Sequence, residues 1–202
     1  MGPVSNFIAN GVTLVFIRHG ETDWNVEARL QGQQDIPLND NGRAQARRNG
    51  AVLSRHLAGV PGFDFVASPL GRAHETMILL RGAMGLTPSA FRTDPALLEI
   101  TFGVWEGLTL AEIDADGSAE AQRRQADKWG YVPPRGESYA MLSERVIRWL
   151  RSIDRDTVAV SHGAVGRVVQ GLLLGVGPEQ IPNLPIPQDR MFIFRDGAHE
   201  WR

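Results

Sequence analysis

The chain contains no cysteine. That absence excludes disulfides, thiolate metal sites and cysteine nucleophiles. It has one lysine, Lys128, among 21 basic residues, so arginine carries almost all of its positive charge. It has no marked charge of either sign. A net charge of −2 sets up no field toward nucleic acid or an anionic membrane, so neither is an expected partner. Long apolar runs are missing too, and the longest is far too short to span a bilayer. Met1-Gly2-Pro3-Val4-Ser5-Asn6 lacks the basic start and apolar stretch of a secretory signal. Asn6 also stands where N-myristoylation wants Ser or Thr. A cytoplasmic location is the expectation. There is no Walker-type loop or dinucleotide fingerprint, and Ile78 occupies the place of the second histidine that His74-Glu75 would need for a zinc-protease motif. The sequence therefore asks for no cofactor and no metal.

What is present reads as an ordinary folded chain. Its 202 residues are 43% apolar and 22% charged, enough for one domain spanning 1–202 with a proper core. Strand and helix patterns alternate, which argues for an α/β fold with a mostly parallel sheet. Val12–Ile17 is a first strand. Asn39-Asp40-Asn41 then caps a helix running to about Ala58, with Ala44, Val52, Leu53 and Leu57 facing inward. Phe63–Ala67 is a second strand, followed by a helix carrying Leu70, Ala73, Met77, Leu80 and Met84 at helical spacing. Phe91–Thr93 reads as an edge strand stopped by Pro95. Residues 108–134 are polar and helical, an excursion from the sheet that ends in Pro133-Pro134. Met141, Leu142, Arg145, Val146, Trp149 and Leu150 mark an amphipathic helix. Thr157–Val160 is the next strand, with a helix to about Leu174, and Met191–Trp201 reads as a terminal hairpin turning at Asp196-Gly197.

Three junctions share one grammar: an apolar strand, a polar pair, then a helix start. They are Arg18-His19-Gly20, Ser68-Pro69-Leu70-Gly71-Arg72 and Ser161-His162-Gly163. If the strands are parallel neighbours, their ends bring His19, His162, Arg18 and Arg72 to one spot beside helix N-termini, whose free amides favour anions. Two arginines and two histidines repel one another unless a negative group sits among them. A phosphate dianion meets that need, and arginine forks suit its oxygens. One histidine would stay neutral to attack phosphorus, its other ring nitrogen held by an acceptor such as a backbone carbonyl.

Arg18-His19-Gly20-Glu21-Thr22-Asp23-Trp24-Asn25, with Arg29-Leu30-Gln31-Gly32 and Asp35-Ile36-Pro37-Leu38-Asn39, resembles the histidine phosphatase superfamily, and within it the phosphoglycerate mutase-like branch. The likeness continues through Gly42, Gln45-Ala46, Ser68-Pro69-Leu70, Arg72-Ala73, Thr76, Leu98-Glu99, Trp105-Glu106-Gly107, Gly136-Glu137-Ser138, Arg145 and Ser161-His162-Gly163. It covers roughly residues 12–172 in order. The resemblance implies a three-layer αβα sandwich with the helical excursion near 108–134. It implies that His19 is the nucleophile that becomes phosphohistidine. Arg18, Arg72, His162 and Gly163 would bind the phosphoryl group, and Asn25 would help line the site. Glu99 matches the proton donor to the leaving group, later the base for water, a role suited to a partly buried carboxyl. Glu106 is the rival carboxylate, although its setting reads equally well as a structural turn. Thr22 reads as a helix cap, and Trp24 and Trp105 as packing residues.

Some positions depart from the family's usual residues. Arg135 stands where glycine is common, and Gly166 replaces a branched apolar residue. Pro187-Gln188-Asp189 replaces an asparagine and a small residue. The resemblance implies a small phosphorylated metabolite as substrate, and it allows a homodimer. The modest excursion and short tail favour a phosphatase over a phosphoglycerate mutase. A non-catalytic phosphoester-binding regulatory protein is the third reading, opposed by the intact set of Arg18, His19, Arg72, Glu99 and His162. Arg123, Arg124, Lys128 and Arg135 could meet an acidic leaving group or form a solvated face.

Overall fold

In the computed structural model, residues 7–57, 62–115, 117 and 119–202 are described. The sequence reading of residues 1–6 and the expected helix end near Ala58 lie outside them. The chain runs β1 (Thr13–Arg18), α1 (Asp23–Val26), α2 (Asp40–His56), β2 (Asp64–Ala67), α3 (Gly71–Ala83) and β3 (Arg92–Thr93). It continues with α4 (Leu110–Ala115), α5 (Ala119–Ala126), α6 (Tyr139–Arg151), β4 (Thr157–Ser161), α7 (Gly163–Leu174), β5 (Met191–Arg195) and β6 (Ala198–Trp201).

The strands form one sheet in the order β3-β2-β4-β1-β5-β6. β1 to β4 are mutually parallel, whereas β5 pairs antiparallel with β1 and β6 antiparallel with β5. β1 and β4 are covered on both faces, which is why they read as continuous apolar runs rather than alternating ones. Leu14 and Phe16 of β1 join a core with Leu142, Val146 and Trp149 of α6 and Val165, Val168 and Val169 of α7. Val15 and Ile17 point the other way, into a core with Leu53 of α2 and Ala73, Met77 and Leu80 of α3. Helices on both faces make the three layers.

β4 is inserted between β1 and β2, so chain order reverses there and a crevice opens at the strands' carboxyl ends. The 108–134 excursion folds into α4 and α5 around a small core of Trp105, Ile113 and Ala121. The hairpin turns at Asp196 and Gly197, both left-handed (φ 49° and 80°), as a two-residue type I′ turn demands.

Three expectations are corrected. Ala44 is exposed; Leu53 is buried and Val52 and Leu57 pack against the same core as expected, and α2 buries Gly42, Gln45, Ala46, Asn49 and Gly50 as well. The buried amides explain the shift: Gln45 Oε1 accepts from Glu21 N at 2.9 Å, and Asn49 Nδ2 donates to Gln188 O at 3.2 Å. Met141 in the first turn of α6 is exposed, since the packed stripe begins at Leu142. Leu70 is the N-cap of α3 rather than a residue of its packed face.

Candidate active site

Three parallel strands end side by side. β1 pairs Arg18 with Ser161 of β4, and β4 pairs Val160 with Ala67 of β2. The ladder runs one step further: His19 N donates to Ser161 O at 2.8 Å and Ser68 N to Val160 O at 2.9 Å. All three junctions picked out in the sequence therefore open at one end of the sheet. Gly20 is required here, because a Cβ would collide with the backbone of Gly42 at the start of α2. Its N–H donates to Thr76 Oγ1 at 3.0 Å, which fixes the loop that follows the histidine.

His19 is buried, with Nδ1 2.7 Å from the Gly20 carbonyl oxygen. A carbonyl only accepts, so Nδ1 carries the proton and Nε2 keeps its lone pair. Burial first, then Arg72 and Arg18, push the ring well below the ordinary imidazole range. His19 is thus a neutral base held in one tautomer. The buried ring of His162 lies 5.2 Å away, centroid to centroid, at 58°. Its Nε2 is 2.7 Å from Ser68 Oγ, and burial, Arg72 and His19 hold it well below the ordinary range too. His162 is also the N-cap of α7, and Gly163 is that helix's first residue.

Arg72, in the first turn of α3, is almost completely buried. Its guanidinium donates to Gln34 O at 2.6 Å and Gly32 O at 2.7 Å. Arg18 donates to Ile186 O at 3.1 Å. Burial first, and then Arg167, push Arg18 down to about 10, so it stays charged at neutral pH. Arg18 Nε, Arg72 Nε and His162 Nδ1 are buried with no hydrogen-bond partner among the described residues. Buried nitrogens without partners are costly. Here they cluster around a neutral imidazole, and an anion with several acceptor oxygens would satisfy them together.

The two rival carboxylates occupy different settings. Glu99 is half-buried; Oε1 accepts from Ile100 N at 3.0 Å and Oε2 from Ala164 N at 3.2 Å, in the first turn of α7. Gln33 Nε2 (3.0 Å) and Arg145 (3.2 Å) hold its backbone carbonyl. A carboxylate has about four lone-pair sites, so Glu99 keeps acceptor capacity for a further partner. Glu106 is committed elsewhere. Oε1 takes Thr101 Oγ1 (2.8 Å), Gln33 N (3.1 Å) and Phe102 N (3.2 Å), and Oε2 takes Gln34 Nε2 (3.2 Å). It ties down the 32–34 loop whose carbonyls hold Arg72.

Asn25 Oδ1 accepts from Thr22 N at 3.1 Å, half of a capping box that starts α1. It also accepts from Gln188 Nε2 at 3.0 Å. Trp105 is buried and stacks on Tyr131, with centroids 5.4 Å apart. The basic residues of the excursion divide. Arg123 pairs with Glu120 at 2.9 Å, and exposed Arg135 occupies a left-handed turn position (φ 61°). Arg124, Lys128 and Arg167 line a cleft of about 280 Å³ together with Tyr131 and Tyr139. Arg167 also borders a second recess lined by Arg18.

Arg167 and Gln188 were given no site role from the sequence. Both lie in or beside stretches that depart from the family pattern. The departures at Gly166 and at Pro187-Gln188-Asp189 were the signal that pointed to these positions.

Similarity to known proteins converges on the same chemistry. A glucosyl-3-phosphoglycerate phosphatase of Mycobacterium tuberculosis is 35% identical over 176 residues, covering 80% of this chain and 74% of that protein. A 2,3-bisphosphoglycerate-dependent phosphoglycerate mutase of Azorhizobium caulinodans is 32% identical, with 92% of each chain covered. The solved structure of a mycobacterial glucosyl-3-phosphoglycerate phosphatase in complex with VO3 superposes with a TM-score of 0.75 at 31% identity, covering 95% of this chain and 97% of that one. The profile of the histidine phosphatase superfamily (branch 1) matches residues 14–202, and with strands, paired histidines and arginine clamp in place this chain belongs to that superfamily.

Proposed function

We propose that the chain hydrolyses small organic phosphomonoesters through a phosphohistidine formed on His19. The observation that carries this reading is the His19 ring. Its Nδ1 is locked on the Gly20 carbonyl and its Nε2 is unprotonated, within a cluster of buried nitrogens that lack partners. In the first step the Nε2 lone pair attacks phosphorus while the bond to the leaving oxygen breaks. Arg18, Arg72 and His162 hold the three peripheral oxygens, where charge sits during transfer. Glu99, as an acid, gives its proton to the departing alkoxide. In the second step Glu99, now a carboxylate, takes a proton from water. That water displaces His19 from phosphorus, releasing inorganic phosphate and the free imidazole.

The cleft lined by Arg124, Lys128 and Arg167 fits a leaving group with a negative charge of its own. This agrees with a phosphorylated glycerate, the substrate class in the name of the mycobacterial relative. Charge in the transition state is met by side chains alone, so turnover should survive a chelator. The substrate is expected in the cytoplasm; among the described residues no helix is long and apolar enough to cross a membrane.

The mutase relative gives a second reading its footing. Incubation with 3-phosphoglycerate, following 2-phosphoglycerate and free phosphate separately, decides between them. Phosphate release on this or another phosphomonoester supports the hydrolase, and fast isomerisation with little phosphate overturns it.

A further inference from the structure

We infer that Gln188 is a positioning residue for the phosphoryl site, and that Gly166 makes its position possible. The inference rests on the phosphatase reading above. Residues 184–188 form a strap across the mouth of the crevice, held through three backbone carbonyls. Arg167 Nε donates to Leu184 O at 3.0 Å, Arg18 to Ile186 O at 3.1 Å and Asn49 Nδ2 to Gln188 O at 3.2 Å. Its anchor is Ile186, a buried member of the α6–α7 core. A Cβ on residue 166 would sit 2.7 Å from both Ile186 Cγ1 and Phe16 Cε1. Neither contact is tolerable, so a branched residue at 166 would expel Ile186. Gly166 and the strap that carries Pro187 and Gln188 are therefore joined in packing through Ile186.

The strap delivers Gln188 to the site. Its side-chain Nε2 donates to the backbone carbonyl of His19 at 3.1 Å and to Asn25 Oδ1 at 3.0 Å, which commits both amide hydrogens. Asn25 Oδ1 accepts from Thr22 N as well. Thr22 Oγ1 donates to the same oxygen at 3.2 Å. With three donors aimed at its oxygen, the Asn25 amide is fixed in one orientation, its NH2 turned away from them and available to a phosphoryl oxygen. Losing Gln188 would remove the one donor to that oxygen from outside the α1 cap and loosen the amide's hold on its orientation toward the anion. One side chain thus braces the nucleophile's backbone and, with Thr22, holds the orientation of a neighbouring donor. The same strap fixes Arg18 through Ile186.

A double-mutant cycle on the full chain tests this, using p-nitrophenyl phosphate turnover and inhibition by orthovanadate. Gln188→Ala should lower kcat/KM and weaken vanadate binding roughly tenfold to a hundredfold, the scale of a hydrogen bond serving an anion. Gln188→Glu, of equal size but without the N–H donors, should fall at least as far. The Asn25→Ala/Gln188→Ala double variant should be little worse than Asn25→Ala, because one residue acts through the other. Gly166→Ala should weaken vanadate binding in the same direction by shifting the strap. Melting temperatures of the Gln188 variants should stay near wild type, separating positioning from unfolding. Wild-type vanadate binding in Gln188→Ala, or losses that simply add, overturns the inference and leaves the phosphatase reading standing. A wild-type chain that neither turns over nor binds vanadate overturns both.

Discussion

At the scale of single residues, the site separates groups that look alike in sequence. Both Glu99 and Glu106 are half-buried carboxylates near Arg72, but Glu106 accepts four hydrogen bonds from its own loops and Glu99 only two. Replacing Glu99 with Gln should therefore cost most on alkyl phosphates, whose leaving oxygen needs a proton, roughly a hundredfold or more in kcat, and far less on p-nitrophenyl phosphate. Parallel rate measurements on the two substrates check this; equal losses would move the acid role away from Glu99. Glu106→Gln should instead loosen the loop behind Arg72 and raise KM on both substrates alike. The sequence favoured Glu99 by motif position alone, because hydrogen bonds from loop N–H groups, which set Glu106 apart, leave no periodic trace. The histidines were easier to find, since each follows a readable strand and precedes a helix start.

Among the elements, the sheet and its helices were legible where packing is periodic. β1 and β4 are unbroken apolar runs, and α3 carries Ala73, Met77 and Leu80 on one face. Along α2 and its C-cap the aliphatic residues Val52, Leu53 and Leu57 were legible, but Ala44 was misplaced and the buried amides and glycines, held against a loop and a neighbouring helix, left no apolar pattern to read. The strap after α7 escaped notice for a related reason: its backbone oxygens, which carry the contacts, are the same in every sequence. The departure at Arg135 now has a physical meaning. Its φ of 61° is a conformation that costs a non-glycine residue about 1–2 kcal/mol. Glycine would relieve that strain while adding about 0.4–1 kcal/mol of unfolded-state entropy, so Arg135→Gly should leave stability unchanged or raise it by up to about 1.6 kcal/mol. Urea unfolding measures this, and a clear loss would mean that the arginine side chain contributes contacts.

For the molecule as a whole, keeping two histidines neutral in a buried site ties stability to pH. In the unfolded chain imidazoles take up protons near their ordinary value of 6.5, whereas buried His19 and His162 do so only well below it. Below that value the unfolded state binds more protons, so stability falls as pH falls, by up to about 1.4 kcal/mol per unit for each histidine. Urea unfolding at about pH 7.5 and about pH 5.5 should show a loss of roughly 1–3 kcal/mol, and His162→Gln should shrink it. A pH-independent stability over that range would contradict neutral burial. The central claim is that His19 Nε2 carries the phosphoryl group, and rapid acid-free quenching of turnover followed by peptide mass spectrometry tests it most directly. The account predicts acid-labile phosphate on His19, and neither phosphoenzyme nor turnover in His19→Ala; phosphate found only on another residue, or normal turnover by His19→Ala, would contradict it.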